Sequence, residues 1–324
     1  MRMFETIKIK NTILKNRIIF PPTYTCMGVD TGEALEYYTA RAKGGASVVI
    51  VEGTDIDMFK KEGFFDKISI LAKSITGAGA AAVLQIRSHY FSARDEVWVS
   101  EKMGTREIST EEIQESVESF GYAAQMAEKA GFDGIDVHGA HSFLLNMFFS
   151  PIENKRNDKY GGSLENRMRY GLEIVASIRE NVSDNFLIFY RHTPVEVNGG
   201  YTIEDSLKFA KELEKAGIDV MDISPGKGPS GEIAEYAAPF KRVLDIPVMT
   251  VNGFNIPGNI ENVLQSGKCD LVGIGRGLIA DPELPLKLQS GSEESIISCI
   301  ECDKLCYGNI AQGKAVSCVK HKQL

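Results

Sequence analysis

Four cysteines stand within twenty residues near the end of the chain: Cys299, Cys302, Cys306 and Cys318, spaced C-x2-C-x3-C-x11-C. Thiolates are soft ligands, and four of them suit either tetrahedral zinc or an iron–sulfur cluster. Structural zinc sites usually separate two C-x2-4-C pairs by a longer loop. Here three cysteines fall close together and the fourth arrives alone, which is more like a cubane held by a tight loop and one distant ligand. A zinc knuckle and a pair of disulfides are the alternatives. Only six cysteines occur in 324 residues, with no apolar signal segment at the start. No apolar run reaches the roughly 18 residues of a membrane span either, so the chain reads as cytosolic and disulfides are disfavoured. Cys26 and Cys269 read as packed thiols and not as ligands.

A second group carries different chemistry. His138 and His141 are the only two of five histidines close in sequence. Together they could donate to one substrate oxygen; metal ligation and a hydrogen-bonded core histidine are the other readings. Metal is the weaker, because no carboxylate or third histidine stands at a suitable strand end. Gly253 and Gly275-Arg276-Gly277 offer bare backbone N–H groups, a helix start and a guanidinium, which favour a bound phosphate. Gln85 and Arg191 can bond the edge of a polar heteroaromatic ring. A phosphate at one side and such a ring at the centre suit flavin mononucleotide (FMN). Gly77-Ala-Gly-Ala-Ala-Ala82 imitates a dinucleotide fingerprint but precedes a strand, so it is set aside, and no Rossmann unit is expected.

The elements that must position these residues alternate in type. Apolar, β-branched runs at Arg17–Pro22, Ser47–Glu52, Ala81–Ile86, Gly134–His138, Phe186–Arg191, Asp219–Ile223, Pro247–Val251 and Asp270–Gly275 read as strands. Helices are expected near Glu33–Lys43, over Thr110–Ala130 with Thr110 as a cap, from Ser163 to about Asn181, and from Thr202 to Ala216. Eight strand-plus-helix units match an α/β fold of the (β/α)8 TIM-barrel type better than a doubly wound sheet. The expected division is a barrel over residues 1–290 and a cysteine-rich segment over 291–324. In such barrels working residues sit just past the C-terminal strand ends, where the histidine pair, Gln85, Arg191, Gly253 and Gly275-Arg276 stand. Composition is ordinary for a globular protein, and the net charge of −8 provides no basic face for nucleic acid or an anionic membrane.

Over essentially its whole length the chain resembles the Old Yellow Enzyme family of flavin oxidoreductases. It is most similar to the barrel portion of the iron–sulfur branch, which includes 2,4-dienoyl-CoA reductase and trimethylamine dehydrogenase. Asn16-Arg17 through Pro22, the His138-Gly-Ala-His141 pair, Ser150–Arg156 and Tyr160–Arg167 carry the resemblance, with Gly275-Arg276 and the four cysteines. It implies that Pro22, Thr23, Gly53, Gln85, Arg191, Gly253, Gly275 and Arg276 line FMN. It implies that His138 and His141 hold a substrate oxygen, and that Cys299, Cys302, Cys306 and Cys318 ligate a [4Fe–4S] cluster. In the family, hydride passes from flavin N5 to an activated alkene and a tyrosine protonates the neighbouring carbon.

Two departures follow. The tyrosine position is Phe143 here, which has no proton to donate; Tyr24 or solvent is the expected substitute. Relatives with the cluster usually continue into FAD- and NAD(P)H-binding domains, whereas this chain stops at Leu324. A separate electron donor or acceptor protein, a flavoprotein or ferredoxin, is therefore expected, or a longer parent chain. The leading function is reduction of an α,β-unsaturated carbonyl compound or thioester. An amine dehydrogenase or demethylase passing electrons outward, or a non-catalytic electron-transfer subunit, are the alternatives. Cys26, two residues past Tyr24, stands off the place where amine-oxidising members attach FMN to cysteine. Substrate choice is expected to lie in the loops Ser88–Ser109 and Pro225–Ala238, and Arg87-Ser-His-Tyr90 to contribute a contact. Monomer and homo-oligomer are both open.

Overall fold

In the computed structural model, which describes residues 1–88, 97–98, 106–197, 199–225, 233–251, 253–254 and 257–320, eight parallel strands close into a barrel in chain order. They are β1 (Ile18–Phe20), β2 (Val48–Asp55), β3 (Ala81–Arg87), β4 (Gly134–Gly139), β5 (Leu187–His192), β6 (Val220–Ile223), β7 (Val248–Val251) and β8 (Leu271–Gly273). A parallel sheet covered on both faces needs apolar side chains on both, which is why these runs show little alternation. The N-terminal halves send Ile19, Val48, Ile50, Val83, Leu187, Phe189, Val220 and Leu271 into one interior cluster. A hairpin of Ile7–Ile9 and Thr12–Leu14, not anticipated from the sequence, adds Ile9 and Leu14 to that cluster and plugs this end of the barrel. The C-terminal halves are different. Glu52, Gln85, Asp136, His138, Arg191, Asp222 and Thr250 are all buried there. The barrel interior is thus oil below and hydrogen-bonding groups above.

Helices wrap the outside, among them α1 (Gly32–Lys43), α2 (Phe64–Gly77) and α3 (Thr110–Ala130). One expectation is corrected here. Thr110 is the first helical residue of α3, and Ser109 is its cap: the Ser109 hydroxyl accepts from Glu112 N while the Glu112 carboxylate accepts from Ser109 N. This capping box satisfies two amides that the first turn leaves without partners. Gly131 closes the other end with φ of +98°, where a side chain would be strained.

The long connection after β4 holds a short helix, α4 (Leu144–Phe149), before α5 (Leu164–Asn181). Its shape comes from side chains that bond back to the backbone. Asn154 Nδ2 donates to the carbonyls of Phe148 and Tyr160, both at 2.7 Å, and Arg156 Nη1 donates to Ile108 O at 2.6 Å. Tyr160 donates its hydroxyl to Glu173 of α5 at 2.8 Å. Asn154, Arg156 and Tyr160 thus brace the loop that follows the histidine pair.

After β8 the chain forms α6 (Arg276–Ala280) and α7 (Leu284–Ser290); Leu286 N of α7 bonds Gly44 O at the end of α1. Residues 291–320 then return across the C-terminal mouth of the barrel. Ile297 N donates to Asp281 Oδ2 at 2.8 Å and Val316 N to Thr25 O at 2.8 Å, while Ile296, Ile310 and Val316 pack on the main core. No described helix is long and apolar enough to cross a membrane.

The Ser109 assignment is directly testable. Ser109→Ala is expected to cost about 1 kcal/mol in denaturant unfolding, and Thr110→Ala a few tenths at most. Equal costs would show that Ser109 does not act as the cap.

Candidate active site

The polar strand ends open into two adjoining cavities of about 830 and 340 Å³. The larger is walled by Gly53, Gln85, Arg87, His138 and Phe143, the smaller by Thr23, Ser224, Gly253, Gly275 and Arg276. Pro22, Tyr24, His141, Arg191 and Ile310 border both, so the two are lobes of one cleft. Every residue singled out above for FMN stands on this wall, with His138, His141, Tyr24 and Arg87, whereas Ser88 does not. His89, Tyr90 and most of the two loops expected to choose the substrate lie outside the described residues.

The histidine pair is held by strained and braced backbone. His141 and Ser142 have φ of 59° and 61°, two successive left-handed residues without glycine. Their turn is fastened from outside. His141 N donates to Thr193 Oγ1 at 3.0 Å and Ser142 N to Asn146 Oδ1 at 2.9 Å. Asn146 Nδ2 in turn donates to the Tyr201 hydroxyl, which donates to Thr193 O. The two rings stand 5.6 Å apart and nearly perpendicular. The Ala140 amide donates to His138 Nδ1 at 3.4 Å, which leaves the proton of a neutral ring on Nε2. His141 Nε2 lies 2.9 Å from Ser224 Oγ, which also accepts from Arg191 Nη2 at 2.9 Å.

Burial pushes both imidazoles below their ordinary range. His141 falls to about 3, with the Arg191 charge adding to burial; His138 is lowered by burial, then by His141 and Arg191. At neutral pH both rings are therefore uncharged. They can donate hydrogen bonds to an oxygen, but they are poor proton stores.

Beneath the cleft lies a layer that sequence reasoning missed. Gln85 Nε2 donates to Asp136 Oδ2 at 2.8 Å, and Arg191 Nη1 stands 3.2 Å from Asp222 Oδ2, close enough for ionic attraction without hydrogen-bond alignment. Both acids are fully buried. Burial raises both carboxyls; the Asp222 charge raises Asp136 further, while Arg191 draws Asp222 back down. Asp136 is thus the one that keeps a proton. The signal was present as aspartates inside otherwise apolar strands. With its amide tied to Asp136, Gln85 presents Oε1 beside Gly53, where an added Cβ would stand 3.1 Å from it.

A third buried acid, Glu52, controls the loop after β1. Its carboxylate accepts from Thr25 N at 2.6 Å and Thr25 Oγ1 at 2.5 Å. Thr25 O receives the tail through Val316 N, so one residue ties tail to barrel. Tyr24 and Cys26 flank it and both line the larger lobe. Cys26 is accordingly half-buried at the cleft, while Cys269 is packed in the core as expected. The tail also supplies Ile310–Gly313 to the cleft wall, which spacing alone could not reveal.

Cys299, Cys302, Cys306 and Cys318 surround a small cavity of about 20 Å³ that Arg276 also lines. Among the described residues no three His, Cys, Asp or Glu side chains come close enough to share one metal ion. Glu301 and Asp303, between the cysteines, have φ of 53°, and Glu301 N donates to Cys299 Sγ at 3.4 Å. Arg276 Nη2 and Nη1 reach these acids at 3.5 and 3.3 Å. The guanidinium assigned to the phosphate therefore faces the cysteine segment as well as the smaller lobe.

The chain belongs to the NADH:flavin oxidoreductase / NADH oxidase family, whose sequence pattern matches residues 2–78 and 74–295. It is 35% identical to an NADH oxidase of Thermoanaerobacter brockii, in an alignment covering 94% of this chain and 53% of that one. The structure of 2-naphthoyl-CoA reductase with 2-naphthoyl-CoA superimposes with a TM-score of 0.90 at 27% identity, covering 99% of this chain and 57% of that one. Histamine dehydrogenase from Rhizobium sp. 4-9 also superimposes with a TM-score of 0.90, at 25% identity over 99% of this chain and 52% of that one. The chain spans about half the length of these three relatives.

The buried imidazoles make stability pH-dependent. His141 and the core His192 are both depressed to about 3, against about 6.5 for a free imidazole. Their contribution is complete above about pH 6.5 and is lost as pH falls toward 3, because only the unfolded chain takes up those protons. Denaturant unfolding should show stability declining below pH 6.5, and the imidazole NMR signals of His138, His141 and His192 should not titrate between pH 8 and 5. Titration near 6.5 would place these rings in water.

Proposed function

We propose that this chain is the substrate-converting part of an FMN- and [4Fe–4S]-dependent oxidoreductase that reduces the activated C=C bond of an α,β-unsaturated carbonyl compound or thioester. The observation that carries this reading is a pair of neutral imidazoles over a cleft floored by Gln85 and Arg191. Such a pair suits an oxygen that gains negative charge as the conjugated bond is reduced.

The residues fit both cofactors. Gln85 Oε1 and the buried Arg191 guanidinium face the larger lobe beside Gly53, a polar edge for a heteroaromatic ring. At Gly275 an added Cβ would meet nothing nearer than 3.9 Å, so the smaller lobe leaves room for a phosphate at its backbone, with Arg276 alongside. Four thiols line one small cavity, and a soft four-thiolate set is the donor chemistry of an iron–sulfur cluster. The Glu301 amide on Cys299 supplies the bond to sulfur that such clusters use. When bound, FMN supplies hydride chemistry and the cluster supplies one-electron transfer.

The protein's own contribution is position and protons. His138 and His141 orient the carbonyl oxygen by donating to it. Phe143, its ring 4.3 Å from that of His138, gives the pocket an apolar side where a tyrosine would have given an acid. Tyr24, 60% exposed, is the phenol that borders both lobes, whereas Tyr307 borders the smaller one alone. The hydrogen bond of Tyr24 with Cys26, together with partial burial, pushes its pKa up, so it holds its proton for donation to carbon. Arg276 stands between cleft and cysteines, and electrons are supplied on that side by a partner flavoprotein or ferredoxin. The amine reading is less well supported: among the described residues, the larger lobe's wall has two arginines and no carboxylate to receive an alkylammonium group.

Dithionite-reduced protein mixed anaerobically with benzylideneacetone should yield the saturated ketone. Tyr24→Phe should slow product formation by about 10²-fold or more without slowing reduction by dithionite. Unchanged turnover in that variant would assign the proton to solvent. No saturated product, together with flavin reduction by an added amine, would replace this reading by the amine one.

A further inference from the structure

The larger lobe holds a cation that the reaction above does not use. Arg87, the last residue of β3, lines it one ring away from the histidine pair: its Cζ lies 5.6 Å from the centre of the Phe143 ring, which also packs against His138. The side chain is mostly buried, at 26% exposure. Its Nε is enclosed near Gly53, out of reach of a ligand, and its bond to Asp55 runs through Nη2 at a long 3.3 Å. Asp55 faces a neighbouring recess and is not on the lobe's wall. Among the described residues that wall carries Arg87 and Arg191 and no acid, and Arg191 is already balanced by Asp222. The nearby Glu52 is committed to Thr25. A guanidinium mostly out of water, held by one long bond to a carboxylate outside the lobe, gains from a second anion that reaches it through the lobe.

We propose that Arg87 selects the substrate: the site takes α,β-unsaturated compounds that carry a carboxylate remote from the activated carbonyl, and Arg87 binds that carboxylate. The inference rests on the carbonyl-reductase reading and adds its substrate class. The Phe143 ring, wedged between Arg87 and His138, spaces the two anchors. The histidines take the carbonyl oxygen, Arg87 takes the carboxylate, and the conjugated bond between them is held over the cleft floor. A planar carboxylate matches the fork of a guanidinium, and a salt bridge shielded from water is stronger than one at the surface. Tyr24, on the same wall, is free to serve the carbon.

The test uses the holoenzyme with a matched pair of probes, 4-carboxybenzylideneacetone and its methyl ester. The acid should exceed the ester in kcat/KM by at least about tenfold. Its KM should rise with ionic strength while that of the ester stays flat. Arg87→Met should bring the acid-to-ester ratio close to one, and Arg87→Lys should restore part of it, which a merely structural role would not do. Equal kcat/KM for the two probes in the unmodified enzyme, or a ratio untouched by Arg87→Met, would overturn the role of Arg87 and leave the reductase reading standing. Reduction of neither probe by protein that holds its flavin would remove both. The salt dependence is read on the unmodified enzyme, so the outcome does not hang on whether the methionine variant folds.

Discussion

Everything in this molecule turns on how a barrel tolerates charge in its interior. An unpaired buried charge costs several kcal/mol, so polar side chains at the upper ends of the strands must find one another or a ligand. Asp136 is met by Gln85, Asp222 by Arg191, and Ser224 joins Arg191 to His141. The pairing is incomplete. Asp136 Oδ1, Asp222 Oδ1 and Thr250 Oγ1 have no partner, and the Arg191–Asp222 contact is ionic without alignment. These unmet groups lie under the cleft wall, where a flavin would rest in the proposed complex. The apolar plug below, with Ile9 and Leu14 sealing the barrel, keeps water from the other side.

The same economy links the two centres. Glu52 binds the amide and hydroxyl of Thr25, and Thr25 O receives Val316 from the cysteine segment. Arg276 binds Glu301 and Asp303 between the cysteines while lining the smaller lobe. These surface-facing ion pairs are individually weak. Their placement matters more than their strength, because the tail thereby becomes part of the cleft wall through Ile310–Gly313. A flavin in the cleft and a cluster among the thiols would share one arginine as neighbour, a compact route for single electrons.

Much of this was legible in the sequence. Parallel strands buried on both faces advertise themselves as apolar runs, so the eight strands and the barrel followed from periodicity alone. Strand ends then pointed to His138, His141, Gln85 and Arg191. Three things were hidden for physical reasons. The inward-facing Asp136 and Asp222 look like ordinary polar interruptions until the closure of the barrel shows what faces them. The tail's contribution to the cleft depends on long-range contacts at Thr25 and Asp281 that no local pattern encodes. Ser109 and Thr110 are both good caps by composition, and only the reciprocal bonds with Glu112 separate them. Arg87 was visible as a strand end, but its enclosed, unpartnered Nε is a property of the packed cleft.

The central claim is that one chain holds a flavin in the barrel mouth and an iron–sulfur cluster in the cysteine segment. The direct measurement is the cofactor content of anaerobically purified protein, with iron, acid-labile sulfide, zinc and released FMN quantified on one sample beside its absorption spectrum. The account predicts one FMN, about four irons and about four sulfides per chain, with flavin bands over a broad brown shoulder. One zinc per chain, without sulfide or flavin, would contradict it.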